Sequence, residues 1–389
     1  MKKIILILLI TITLTGCAGY KELNNLSIVT AVAFDKKEDN YELSFLIANS
    51  PKAQTSSKEG EAKTTVYSSE GKTIAEAAKK IEQIVPKELY LGHINVVIIS
   101  EDIAKEGFLN IADWLIRNPQ TRKKFYLLEA KDVSAKNILK IVSPLESFPS
   151  QSIATLIESN SESKAVATSV TYSNFISQIL EEGIEPVLPS ITIKGSVKKG
   201  SNEKNLETTE PDTFLALGPL AIFKNDKLQG FTKEEESWAI NIIKNEARET
   251  NTNVKYKNED ISIEASNLKS KIKIKDTQNI EINISGTGNI YNINNIDIED
   301  YKEINKIEKA WNKELKEKLN KTIQKIQKKY KSDIFGFGNK IYKQDPKTWE
   351  KIEKNWNDVY FPNLNVKINT NLNINKTGSL NKTIKGEKS

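Results

Sequence analysis

The chain has 389 residues, with 57 Lys plus Arg against 51 Asp plus Glu and a formal net charge of +6. At roughly 100–200 residues per domain there is room for two or three domains, and 28% charged with 38% hydrophobic residues is a globular balance that excludes global disorder. One cysteine and one histidine exclude an intramolecular disulfide, an all-Cys/His zinc site and any two-histidine metal motif.

Lys2 and Lys3 precede an apolar stretch from Ile4 to Leu14. A basic start followed by about a dozen apolar residues is a secretory signal peptide, too short for the roughly 20 residues of a membrane span. It ends in Leu14-Thr15-Gly16-Cys17, which resembles the bacterial lipobox. There the cysteine takes a diacylglyceryl thioether and, once residues 1–16 are cleaved, becomes the N-terminus. The lone cysteine of the chain stands at that position; the alternative, an ordinary signal peptide with a chance cysteine, leaves a free thiol in a secreted protein. Two acyl chains anchor stably where one does not. The expected product is therefore a body tethered to a lipid bilayer through Cys17, carrying no cofactor besides that lipid and meeting no nucleic acid.

Beyond the leader, 26–34 and 41–48 flank a polar turn and predict a hairpin, followed by a strand at 66–69. Thr73 opens a helix whose inward residues are Ile74, Ala77, Ala78, Ile81 and Ile84. The run 94–99 predicts a strand buried on both faces, then come a helix over 103–117 and a strand over 125–130. Helices near 133–142, 151–159 and 171–182 precede a strand at 190–194. A second hairpin spans 214–231, and Thr232 with Glu235 predicts a capping box for a helix carrying Trp238, Ile242 and Ile243 inward. Alternation at 261–284 predicts strands. From Ile304 to Tyr330 apolar residues recur every three or four positions, a stripe of about seven turns. Trp349, Ile352 and Trp356 mark a short helix, and the alternation from Leu364 to Ile374 a last strand. This pattern predicts an α/β N-terminal domain over 17–195, a linker at 196–213, a small hairpin-plus-helix domain at 214–252 and a C-terminal α+β domain at 253–385, with largely antiparallel sheets and packed helices.

Chemistry-bearing motifs are few. His93 has no second histidine and no nucleophile elbow, and is expected to be a hydrogen-bonded structural residue. Gly286-Thr287-Gly288 and Gly336-Phe337-Gly338 lack the lysine of a phosphate loop and predict turns or close packing. Glu234, Glu235 and Glu236 suit a helix N-terminus better than a metal. Residues 301–330 hold ten Lys and four Glu, a surplus of six positive charges. The uses open to that face are solvation, anionic headgroups or an acidic partner. No enzymatic activity is expected.

Several stretches in shared order resemble the Ger(x)C family, the lipoprotein C subunits of spore germinant receptors. They include Gly16-Cys17, Leu26-Ser27-Ile28-Val29-Thr30-Ala31, Tyr67-Ser68-Ser69-Glu70-Gly71, Leu91-Gly92-His93, Pro186-Val187-Leu188-Pro189 and Leu228-Gln229-Gly230. The most specific is Asp333-Ile334-Phe335-Gly336-Phe337-Gly338 with Pro346, Trp349 and Asn355-Trp356. Where the family has Trp-Asp after the lipidated cysteine, this chain has Ala18-Gly19. The resemblance implies a non-enzymatic, three-domain subunit acting with A and B membrane subunits at the outer face of the spore inner membrane. A partner-facing surface is expected over Asp333, Phe335, Gly336, Gly338, Trp349 and Trp356, the alternative being that both tryptophans are core. A lipid-anchored solute-binding protein is the competing function, and would need two similar lobes around a cleft.

Overall fold

The computed structural model describes residues 25–49, 62–146, 148–163, 168–293 and 301–376. Strands β1 (Leu26–Lys37) and β2 (Asn40–Ala48) form the predicted hairpin, turned at Glu38 with φ 55°, and β3 (Thr64–Gly71) extends it antiparallel. Thr73 caps α1 (Ile74–Ile84) by accepting from the Glu76 N–H, and the helix buries Ile74, Ala77 and Ile81. Ile84, in the last turn, is 55% exposed, contrary to its place in the stripe.

Short β4 (Glu88–Tyr90) and wholly buried β5 (Val96–Ser100) both run parallel to β1. The single helix expected over 103–117 is two, α2 (Glu101–Glu106) and α3 (Leu109–Arg117), broken at Gly107 with φ +133°. A side chain there would meet the Asp226 carboxylate, so the break is also a packing contact. After β6 (Tyr126–Ala130) come α4 (Ala135–Leu139), α5 (Pro149–Ser163) and α6 (Tyr172–Leu180), then β7 (Val187–Lys194).

β8 (Phe214–Lys224) pairs antiparallel with β7, and β9 (Lys227–Phe231) pairs with β8. The hairpin therefore does not open a separate middle unit: it completes a nine-stranded sheet in the order β3-β2-β1-β5-β6-β7-β8-β9, with β4 beside β1. The 196–213 segment, with the single turn α7 (Val197–Gly200), is a loop between two strands of one sheet, folded onto it by Asn205, whose amide donates to the Val142 and Thr213 carbonyls. Proline and charge marked a chain boundary there, but strand pairing is a long-range matter. One face of the sheet is covered by α1, α2, α3 and α6, the other by α4 and α5.

Helix α8 (Glu234–Ile243) follows. Its cap is one residue later than predicted and one-sided: the Lys233 N–H donates to Glu236, whose own N–H donates to the Lys233 backbone carbonyl, while the Thr232 hydroxyl is drawn inward to the Leu220 carbonyl and Ser237. The second sheet runs β10 (Thr250–Tyr256), β11 (Glu259–Ile274), β12 (Asn279–Asn292), β13 (Asn365–Lys376). β13 pairs parallel with β12, not antiparallel as the alternation implied, because a helical crossover joins them. That crossover holds α9 (Tyr301–Lys325), α10 (Phe337–Gln344) and α11 (Pro346–Ile352). α9 buries Ile307, Trp311, Leu315, Leu319 and Ile323 as the stripe predicted, and Gly288 on β12 leaves room for the Trp311 ring. It widens into a π turn at Ile326–Tyr330, closed by Lys331 with φ 47°. Asp345 caps α11 with Pro346 in its first turn. Both sheets feed one core: Val187, Leu220 and Ile222 of the first pack with α8, α9 and the β11–β12 isoleucines.

Candidate functional site: a buried carboxylate junction

Phenylalanines and glycines between two helices would ordinarily make a loop with unpaired amides. Here the loop after the π turn wraps around a carboxylate. Asp333 is fully buried. One of its oxygens accepts from the Phe337 N–H at 3.2 Å, the other from the Gly338 N–H at 2.8 Å and the Trp356 Nε1–H at 2.9 Å. Gly336 takes φ +70° to turn the chain back, and a Cβ at Gly338 would lie 2.7 Å from Trp356 Nε1 and 2.8 Å from the Trp349 ring. The two indoles meet edge to face at 5.4 Å. Burial pushes the Asp333 carboxyl up to about 6, against the three donors, which favour the ionised form.

The same residues hold the C-terminal half against the first sheet. Glu185, just before β7, donates its N–H to the Asp333 carbonyl at 2.9 Å. Its carboxylate accepts from the Asn357 amide and the Asn225 N–H, and burial raises its pKa. The Asn339 N–H donates to the Gly183 carbonyl at 2.8 Å, its amide donates to the Glu182 carbonyl at 2.8 Å, and Trp349 Nε1–H donates to the Glu182 carboxylate at 3.2 Å. The Ser332 hydroxyl donates to the Phe223 carbonyl and the Tyr330 hydroxyl to the Phe231 carbonyl. The Gln327 amide, aimed inward by the π turn, donates to the Phe361 and Leu364 carbonyls.

This corrects the expectation of a partner-facing surface. Asp333, Phe335, Gly336, Gly338, Trp349 and Trp356 do come together, but as the interior of a junction: Phe335 is 4%, Trp349 3% and Trp356 2% exposed. An indole N–H that finds a buried carboxylate satisfies both groups only when water is excluded, so the pattern specifies packing. Both Gly-x-Gly pairs are close-packing glycines. His93, expected to be a hydrogen-bonded structural residue, lies on the surface with its ring against Tyr90 at 5.6 Å. Leu14, Thr15, Gly16 and Cys17 lie outside the described residues. Sequence reasoning missed Glu185 and Asn357; neither stands in a motif, and only the meeting of segments 172 residues apart reveals them. It also missed Glu129 on β6, which is fully buried with neither carboxylate oxygen hydrogen-bonded, and whose carboxyl burial pushes up to about 9.

Comparison with known proteins gives this architecture a family. Residues 19–193 match the spore germination protein N-terminal domain, 219–378 the spore germination B3/GerAC-like C-terminal domain, and 1–18 the prokaryotic membrane lipoprotein lipid attachment site. The chain is 31% identical to spore germination protein KC of Bacillus subtilis (strain 168), over 98% of this chain and 97% of that one. It is 30% identical to putative spore germination protein YfkR of the same organism, over 98% of each, and 24% identical to spore germination protein GerQC of Bacillus cereus, over 97% and 99%. The crystal structure of the GerBC protein has the same fold, with a TM-score of 0.56 at 16% identity, covering 92% of this chain and 99% of that one. The chain belongs to the Ger(x)C family of spore germination lipoproteins, and its lipid attachment site anchors it to a membrane. No helix among the described residues is long and apolar enough to cross one.

Proposed function

We propose that this protein is the lipid-anchored, non-catalytic C subunit of a germinant receptor, working with A and B membrane subunits at the outer face of the spore inner membrane. The observation that carries this reading is end-to-end similarity to spore germination proteins, combined with a lipid attachment site at Cys17. The mechanism is confinement plus protein contact. An acylated body explores only the bilayer plane, which raises its effective concentration beside membrane partners without any new contact. Its two sheets, locked through the Asp333 junction and a shared core, present surfaces to those partners as one rigid unit.

The test is Cys17→Ala at matched protein level. Germination through the cognate receptor is expected to fail although the body folds; normal germination overturns the proposal. Pull-down from detergent-solubilised spore inner membrane should recover two polytopic subunits. Loss of germination in a folded, lipidated Glu129→Gln protein would point instead to chemistry at that buried carboxyl.

A further inference from the structure

The lipid fixes which end of the first sheet meets the bilayer. Only eight peptide steps separate Cys17 from Asn25, where the described structure begins, a reach of at most about 28 Å. Because β1, β4, β5 and β6 are parallel, the segments leading into all of them lie at that same end of the sheet. The segment leading into β6 carries Arg122-Lys123-Lys124, three consecutive exposed cations, while Thr121 and Phe125 on either side are buried. The loop is pinned as well: Gln120 accepts from the Leu91 N–H at 3.2 Å, the Lys123 carbonyl accepts from the Ser173 hydroxyl at 2.7 Å, and the Phe125 carbonyl accepts from the Tyr172 N–H at 3.0 Å. Among the described residues none of the three cations forms an ion pair. Lys87, in the turn before β4, stands at the same end, as do the carboxylates Glu82, Glu88 and Asp113, the last engaged by Arg117 at 2.8 Å.

At the opposite ends of β1, β5 and β6 the sign reverses. Glu38, Asp39, Asp102, Glu106 and Asp132 are exposed around the ends of β1, β5 and β6, and the lysines there are paired, Lys36 with Glu106 and Lys105 with Glu101. The part of the sheet formed by β1, β5 and β6 is thus polarised along its strands, basic where the tether leaves and acidic where it points away, whereas β7 has Glu181 and Glu182 before it and Lys194 at its end. An anionic bilayer attracts the first end and repels the second.

We propose that the Arg122-Lys123-Lys124 loop, with Lys87 beside it, is a second membrane contact that binds the headgroups of anionic phospholipids and stands the first sheet upright on its anchor. The acyl chains supply attachment; the loop supplies orientation, which a single point of attachment by itself does not. The contact depends on the lipid site and the sheet, and is independent of the receptor assignment.

The test uses the mature chain, residues 17–389, prepared without its lipid so that the acyl chains do not mask the effect, and sedimented with vesicles of phosphatidylglycerol or of phosphatidylcholine. Binding is expected to the first only, and to fall as salt rises from roughly 0.1 M to roughly 1 M, where the Debye length shrinks from about 10 Å to about 3 Å. The triple variant Arg122→Glu, Lys123→Glu, Lys124→Glu should lose more than about 100-fold in affinity. Its neutral counterpart with three glutamines, which disturbs the fold less, should lose about 100-fold. Lys313→Glu with Lys321→Glu on the exposed face of α9 should change binding little. Equal binding to both vesicles, full binding by the loop variants, or loss only in the α9 variant overturns the proposal. So does binding that appears only in membranes containing a polytopic partner, which would assign the loop to protein.

Discussion

Asp333 concentrates the stability of the junction in one carboxylate. Replacing it with alanine strands two backbone N–H groups and an indole N–H in a dry site, each costing about 1–3 kcal/mol. Asp333→Ala should therefore lower unfolding free energy by about 3–5 kcal/mol in urea titration, and Asp333→Asn by less, because the amide oxygen still accepts. The acidity of the site gives a second expectation. An acid whose pKa is raised on folding binds protons more tightly in the native state, so its contribution is fully present below the unfolded value of 3.8 and is lost as pH rises through about 6. Glu185 shifts in the same direction, and Glu129 extends the loss toward pH 9. Urea midpoints should thus fall between pH 6 and pH 9 in the natural protein and fall less in Glu129→Gln, which removes the carboxyl that has no hydrogen-bond partner.

At the scale of elements, the tightest contact is between two backbones. Gly183, between α6 and β7, has φ +72°, and a Cβ there would lie 2.4 Å from the Gly338 carbonyl carbon and 2.5 Å from the Asn339 nitrogen. Neither neighbour is the movable tip of a side chain. Gly183→Ala should cost at least about 2 kcal/mol and open the junction, detected as faster proteolysis of the β12–β13 crossover with the first sheet still folded. The elements themselves were legible to different degrees. The α9 stripe was legible because a 3.6-residue period sustained over many turns argues a helix, though the period did not reveal that its last five residues, Ile326–Tyr330, form a π turn. The split at Gly107 was not, since a glycine in an apolar run signals a break only when its φ is known. The Thr232 cap was misplaced by one residue because the hydroxyl found a buried carbonyl, a contact across the hairpin.

The whole molecule has two sheets but one continuous core between them, in which α8 is the shared wall. Unfolding by urea should accordingly be a single transition, with tryptophan fluorescence from Trp311, Trp349 and Trp356 coincident with the loss of far-ultraviolet ellipticity. Two separated transitions would mean that the junction is weaker than its burial implies. At this scale the proposed membrane contact belongs with the fold, because the parallel strands bring the segment before β6 to the end of the sheet where β1 begins.

By itself the sequence determined what depends on local order along the chain. The leader and lipobox, the strand and helix identities and the family motifs are all patterns within a few residues of one another, and periodicity or side-chain chemistry fixes them before any folding. Tertiary structure alone decided which segments meet. It placed the 214–231 hairpin on the first sheet, made β13 parallel to β12, and turned the Asp333 and tryptophan motif from an expected surface into an interior. It also set the Arg122-Lys123-Lys124 loop at the anchored end. These outcomes depend on pairing and burial between residues far apart in sequence, whose free energy exists only once water has been excluded from between them.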